Sequence, residues 1–153
     1  MNWLIVFLAE YLPLVIGVGV LAFLLIRKER TLAQRAVLAA LLALAVSEVI
    51  KQFFYVPRPF VAGGFVPLVS QPSDGSFPSS HVATLSALSV CLWLRNKKAG
   101  TLLLVGTLAV GLARVLAGLH YGCDILGGFI LGGLVSLFAS RWNPFVGGWF
   151  LIF

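Results

Sequence analysis

The chain has 153 residues, of which 60% are hydrophobic and only 10% charged, with a formal net charge of +6. That balance excludes an ordinary soluble globular domain and fits a single compact all-α bundle of membrane helices spanning residues 1–153. The positive charge is no nucleic-acid signature, because the basic residues cluster in short stretches beside apolar spans, as the positive-inside rule produces.

A membrane helix needs about 20 mostly apolar residues. The sequence offers five such spans. The first runs from about Asn2 to Ile26 and stops at Arg27-Lys28-Glu29-Arg30. Met1-Asn2-Trp3 lacks a basic n-region, so this run reads as a retained helix and not as a signal peptide. The second runs from about Thr31 to Tyr55, where Pro57 and Pro59 end it. Residues 56–78 form a long connection rich in Pro, Gly and Ser, with Asp74-Gly75 as a turn signal. Its apolar residues Phe60, Val61, Phe65, Val66, Leu68 and Val69 place it at the membrane surface.

The third span runs from about Ser79 to Leu94 and ends at Arg95-Asn96-Lys97-Lys98; it is short, so its ends are expected near the interfaces. The fourth runs from about Thr101 to Leu119, and the fifth from about Asp124 to Ser140. Gly128 and Gly132 on the fifth form a small-xxx-small pair beside Gly127 and Gly133, which lets another helix approach closely. Such Gly-rich faces also suit a homo-oligomer. Residues 142–153 are apolar and aromatic but too short to span; Trp142 and Trp149 suit an interfacial belt, a subunit contact or a half-helix.

Topology follows from charge. Arg27, Lys28, Arg30 and Arg35, then Arg95, Lys97 and Lys98, then Arg141 all fall on one face of a five-span bundle, which is therefore cytoplasmic. This puts the N-terminus outside and the C-terminus inside. The remaining basic residues, Lys51, Arg58 and Arg114, gather toward the outer face. Cys91 falls in mid-span and Cys123 in a loop, so no disulfide is expected, and no zinc-type spacing occurs.

Three cations at one end of a bundle repel one another unless an anion lies between them, and phosphate suits Arg forks and a Lys point charge together. Snorkelling accounts for a basic residue at a helix end, but not for Arg114 inside the apolar run Leu112 to Leu119. Pro78-Ser79-Ser80-His81 reads as a helix start with serine as N-cap. A helix N-terminus with free N–H groups is also a phosphate site. His81 in its first turn reaches the same place and can hand a proton to a leaving oxygen. His120 and Asp124 are four apart and share a face. A carboxylate on one imidazole nitrogen fixes the tautomer and leaves the other nitrogen free to attack. The plainer readings are an N-cap for Asp124 and an interfacial histidine for His120.

The pattern Lys51-x6-Arg58-Pro59, Pro78-Ser79-Ser80-His81 and Arg114-x5-His120-x3-Asp124 resembles the type 2 phosphatidic acid phosphatase superfamily. Its members include membrane lipid phosphatases and, more distantly, soluble vanadium haloperoxidases and acid phosphatases. The match covers residues 51–124. The resemblance implies that Lys51, Arg58 and Arg114 bind phosphate oxygens, with Ser79 and Ser80 among the phosphate-binding residues. It implies that His120 attacks phosphorus, that Asp124 orients His120 and that His81 protonates the leaving group, with no metal or other cofactor. The sequence departs from the family at Ser80, often glycine there, and at Ala113, commonly serine. It also lacks one of the family's six spans, by position the first.

Arg58-Pro59-Phe60-Val61 and Phe77-Pro78-Ser79-Ser80-His81 further resemble the bacterial undecaprenyl pyrophosphate phosphatases of this superfamily. The expected substrate is therefore undecaprenyl diphosphate, held in the bilayer. Phosphatidylglycerophosphate, phosphatidic acid and lipid A phosphate are the alternatives. A catalytically silent lipid-phosphate binder or transporter is the rival of another class, and a haloperoxidase-like enzyme a third. Glu48, three residues before Lys51, is expected to pair with it; Glu10 is expected to neutralise the cationic site.

Overall fold

A computed structural model of the chain describes residues 2–141. Among the described residues the structure is all helix, turn and loop. Helix α1 spans Asn2–Ile26, α2 Arg30–Phe53, α3 Pro59–Gly63, α4 Ser80–Arg95, α5 Lys97–Leu116 and α6 Gly122–Arg141. Four of these, α1, α2, α5 and α6, are long and apolar enough to cross a membrane. The expected third span, α4, has 16 residues and is the exception. At 1.5 Å per residue it is about 24 Å long, less than the roughly 30 Å of a bilayer core.

Helix α4 is short because it is the axis of the bundle. It packs against α6, α2 and α5. Its buried residues Val82, Ala83, Leu85, Ser86, Ala87, Leu88, Ser89, Cys91 and Leu92 cover nearly its whole circumference. A helix wrapped in protein does not need a lipid-facing apolar surface, so it tolerates serines. Ser86 donates to the Phe129 carbonyl of α6 at 3.0 Å, and Ser89 lies 3.2 Å from the Thr107 hydroxyl of α5.

The α4–α6 contact is backbone against backbone. A Cβ on Gly128 would lie 2.8 Å from the Ser79 carbonyl oxygen, and one on Gly132 would overlap the Ala83 carbonyl oxygen. The face bearing both glycines is thus taken up inside the chain by α4. Ala39, Ala43, Ala83, Ala87 and Ala139 extend this small-residue core across α2, α4 and α6. Helix α1 is more peripheral. Only 11% of its apolar window is buried, against 28% for α2 and 33% for α5 and α6.

The connection after α2 contains α3, which the sequence reading treated as loop. Pro59 opens it at a position where a missing N–H costs nothing. Val69 and Phe60 from this connection join Ala9, Ala113, Ala117 and Leu119 in an apolar cluster at the same end as the site, whereas Val66 is almost fully exposed. The fourth helix ends three residues earlier than expected, at Leu116, in a Schellman motif. Gly118 takes φ +76°, Leu119 N–H donates to the Arg114 carbonyl and Gly118 N–H to the Val115 carbonyl, both at 3.0 Å. The aromatic belt or half-helix expected for 142–153 lies outside the described residues.

Candidate active site

The Schellman turn sets the site. It reverses the chain so that Arg114, in the last turn of α5, and His120, just beyond it, point into one cavity. That cavity has a volume of about 340 Å³, and Lys51, Arg58, Ser80, His81, Arg114 and His120 all line it. Six of the eight residues singled out from sequence therefore meet at one end of the bundle. The other two, Ser79 and Asp124, are completely buried and stand behind that lining.

Asp124 is not the N-cap of α6. It sits in the first turn and reaches back to the Tyr121 N–H at 2.8 Å, while its own N–H donates to the Tyr121 carbonyl at 3.1 Å. The carboxylate thus makes the N3 half of a capping box on the Tyr121 N–H, while the Asp124 N–H closes an ordinary backbone turn. The same Oδ2 lies 3.3 Å from His120 Nδ1. Arg58 Nη1, always a donor, lies 3.3 Å from the other ring nitrogen, Nε2. A nitrogen facing a guanidinium must present its lone pair, so the hydrogen-bond pattern assigns the ring proton to Nδ1, on Asp124. Nε2 therefore carries the ring's lone pair, which accepts from Arg58, and His120 lines the cavity. Burial holds the His120 pKa below the ordinary imidazole range, with the Arg114 and Arg58 charges adding to this and the Asp124 hydrogen bond opposing it. Burial and the Arg58 contact thus both favour the neutral form of the ring.

Each cation has its own tether. Arg58 is 3% exposed; its Nε and Nη2 both lie 2.9 Å from Asp74 Oδ1, and its Nη1 also donates to the Leu119 carbonyl at 3.2 Å. Arg114 is 1% exposed and donates to the Ala9 carbonyl at 2.9 Å. That carbonyl is available for a reason legible in α1. Its helical donor would be the N–H of residue 13, and Pro13 has none. The helix widens into a π-turn over Phe7–Tyr11 just before it. Lys51 donates to Ser80 Oγ at 2.5 Å and to Glu48 Oε1 at 2.9 Å, and Ser80 donates to the same Glu48 oxygen at 2.6 Å. The expected Glu48–Lys51 pair is therefore present, closed into a triangle by Ser80.

Ser79 occupies the N-cap position of α4 as expected, but its hydroxyl caps nothing. Its Oγ is buried and makes no hydrogen bond among the described residues. The Ser79 N–H donates instead to the Asp124 carbonyl at 3.1 Å, tying the start of α4 to the start of α6. His81, one residue into α4, is exposed to the cavity.

Sequence reasoning missed Asp74, Gln71 and Thr84, all in the cavity lining. Asp74 was read only as a turn residue, yet its Oδ1 accepts from two Arg58 nitrogens and its Oδ2 lies 3.9 Å from Lys51. A signal existed: it is the sole acidic residue between Glu48 and Asp124. Gln71 and Thr84 carried none. Together these groups give a buried trio of cations, an imidazole whose unprotonated nitrogen faces Arg58 and an exposed second imidazole. That set can bind a phosphoryl group, attack it and protonate what leaves.

Comparisons with known proteins give the family. The PAP2 superfamily profile matches residues 32–147. Undecaprenyl-diphosphatase BcrC of Bacillus subtilis is 32% identical over 149 residues, which cover 94% of this chain and 77% of that protein. The protein named bacitracin transport permease BcrC of Bacillus licheniformis is 33% identical over 147 residues, covering 94% of this chain and 72% of its own length. Among solved structures, LpxE of Aquifex aeolicus superposes with a TM-score of 0.77 at 25% identity, covering 93% of this chain and 88% of that one.

Proposed function

The chain belongs to the PAP2 superfamily and is a multi-pass membrane phosphatase; from that premise we propose that it removes the terminal phosphate of undecaprenyl diphosphate through a phosphohistidine on His120. The observation that carries this reading is the line Asp124–His120–Arg58, which leaves Nε2 unprotonated in a cavity walled by cations. Relatives named undecaprenyl-diphosphatase, at 32% identity from Bacillus subtilis and at 31% from Sulfolobus acidocaldarius, support the choice of substrate.

In this mechanism Lys51, Arg58 and Arg114 hold the non-bridging oxygens of the terminal phosphoryl group and stabilise the charge of the five-coordinate transition state. Ser80, the first-turn N–H groups of α4 and the Ser79 hydroxyl behind them are further donors. His120 Nε2 attacks phosphorus as the bond to the bridging oxygen breaks. His81 gives its proton to that oxygen, releasing undecaprenyl monophosphate. The proton stays on Nδ1, hydrogen-bonded to the Asp124 carboxylate, whose charge stabilises the cationic ring. His81, now neutral, takes a proton from water as it attacks the phosphohistidine, and the P–N bond breaks to free inorganic phosphate. No metal takes part in this scheme.

The site is placed on the outer face, N-terminus outside, because Arg27, Lys28, Arg30, Arg35, Arg95, Lys97, Lys98 and Arg141 all belong to the opposite end. A Ser73→Cys protein in a Cys123→Ser background is expected to react with a membrane-impermeant thiol reagent added outside intact cells. Labelling only after permeabilisation would reverse the topology. The activity is tested by phosphate release from purified protein in detergent. Undecaprenyl diphosphate is expected to be hydrolysed faster than phosphatidylglycerophosphate, phosphatidic acid and lipid A phosphate, and vanadate to inhibit. A higher kcat/KM on any of the other three would replace the substrate.

A further inference from the structure

The polar lining of the cavity divides by what each side chain already holds. Lys51, Arg58 and Arg114 are each tethered, and the lining carboxylates Glu48 and Asp74 each engage a cation. Ser80 is closed into the Glu48–Lys51 triangle, and His120 lies between Asp124 and Arg58. Gln71, His81 and Thr84 remain, and none of these side chains makes a hydrogen bond among the described residues. The mechanism uses His81 as proton donor. It leaves Gln71 and Thr84 without a role.

Thr84 departs from the habit of its neighbours. A helical Ser or Thr often turns its hydroxyl back onto a carbonyl of the preceding turn. Ser47, Ser89, Thr107 and Ser140 all do so, at 2.7–2.8 Å. Thr84 does not, so its proton and its lone pairs are both available. It is half-buried and lines the cavity. It stands one turn beyond His81 on the same side of α4. The next lining residues of that helix, Leu85 and Leu88, are apolar, so Thr84 is the last donor along α4 before the wall changes character. Gln71, half-buried in the connection before α4, brings an amide with two N–H donors to the same cavity.

We propose that Thr84 and Gln71 form a second phosphate subsite, which holds the phosphate that stays with the leaving group. The proposal rests on the lipid-diphosphatase reading and adds what tells a diphosphate from a monophosphate. His81 protonates the bridging oxygen, so that oxygen lies beside His81. The terminal phosphoryl group is on the cation side of the bridge. The inner phosphate is on the other side, where Thr84 follows His81 along α4. Neutral donors suit this place. The inner phosphate departs with the product, and a grip by further cations would slow its release. Hydroxyl and amide hydrogen bonds instead orient the bridge toward His81. A monoester has no second phosphate and leaves Thr84 and Gln71 unused.

The test separates the two phosphate positions with two inhibitors of the purified protein. Methylene diphosphonate mimics a diphosphate with an uncleavable bridge, and orthovanadate fills the phosphoryl position alone. The reporter is hydrolysis of whichever lipid phosphate wild type cleaves fastest. Thr84→Val removes the hydroxyl with little change of shape and breaks no hydrogen bond within the protein, and Thr84→Ser keeps the hydroxyl, so both are expected to fold. Thr84→Val is expected to raise the inhibition constant of the diphosphonate about tenfold and that of vanadate by less than about twofold. Thr84→Ser is expected to stay within about threefold of wild type for both. Gln71→Met is expected to act in the same direction as Thr84→Val; no change toward the diphosphonate would remove Gln71 from the subsite. Equal changes for the two inhibitors in Thr84→Val, no change for the diphosphonate, or a wild type that the diphosphonate does not inhibit would overturn the proposal. If wild type cleaves phosphatidic acid faster than undecaprenyl diphosphate, the substrate reading fails by itself, and the inhibitor contrast still decides whether a second phosphate binds at Thr84.

Discussion

Two helix contacts in this bundle use glycine for opposite ends. Between α4 and α6, Gly128 and Gly132 let two backbones touch, and any added side chain meets a carbonyl oxygen. Between α1 and α2, Gly17 borders open space, and the helices stand far enough apart to leave a cavity of about 150 Å³. The first contact is rigid and fixes the two helix starts that carry His81 and Asp124. The second is loose, and its apolar cavity shares Gly17 and Leu88 with the phosphate cavity. A fixed constellation for the chemistry needs the first kind of contact.

The difference can be broken most severely at its tight side. Gly132→Leu forces a side chain into the Ala83 carbonyl and is expected to cost about 3 kcal/mol or more, with loss of monodisperse protein on size exclusion and of all activity. A well-folded Gly132→Leu protein would mean that α4 and α6 do not touch as described.

Within the fixed constellation, chemistry separates from folding. His120→Ala is expected to lower kcat by about 10⁴-fold or more with the melting temperature nearly kept. Asp124→Asn is expected to cost roughly 10²- to 10⁴-fold, because an amide at Oδ2 no longer holds the proton on Nδ1. Stopped-flow or quench experiments that found a phosphoenzyme in His120→Ala would reassign the nucleophile.

The pH profile probes the same buried ring more gently. His120 is held below the ordinary imidazole value by burial, and its neutral form is the reactive one. Lowering the pH removes activity only as the folded-state pKa is passed. The acid limb of kcat/KM, with the substrate's own ionisation divided out, is therefore expected to have its midpoint below about 6.5. A midpoint at or above that value would contradict a buried neutral imidazole.

The smallest effect belongs to the loose side. Gly17→Ala is expected to leave activity on undecaprenyl diphosphate within about twofold and to raise stability by up to about 1 kcal/mol, since its Cβ meets nothing. Gly128→Ala is expected to lower stability. Thermal denaturation of the two proteins in one detergent compares them directly; equal shifts would erase the distinction between the contacts.

Much of this was legible in the chain itself. Apolar runs broken by Arg-Lys clusters define helices, since an exposed backbone in lipid must satisfy its own hydrogen bonds. Ionisable residues left inside those runs mark the site, since burying Lys51, Arg58 and Arg114 in an apolar bundle is costly unless they serve an anion. Local spacing was legible too: Asp124 lies one helical turn beyond His120, whereas the helix end at Gly118 was overrun by three residues. Other features were hidden. Asp74 looks like a turn residue until the fold lays its loop across Arg58. Ser80 shows a helix start, and only the approach of α2 makes it the bridge between Lys51 and Glu48. A glycine in a sequence does not say whether its face meets a backbone or empty space. Sequence determined which residues are costly to bury and which apolar runs form the long helices, because those are local free energies. The tertiary structure alone decided how closely each pair of helices packs, because that distance depends on side chains brought together from different parts of the chain.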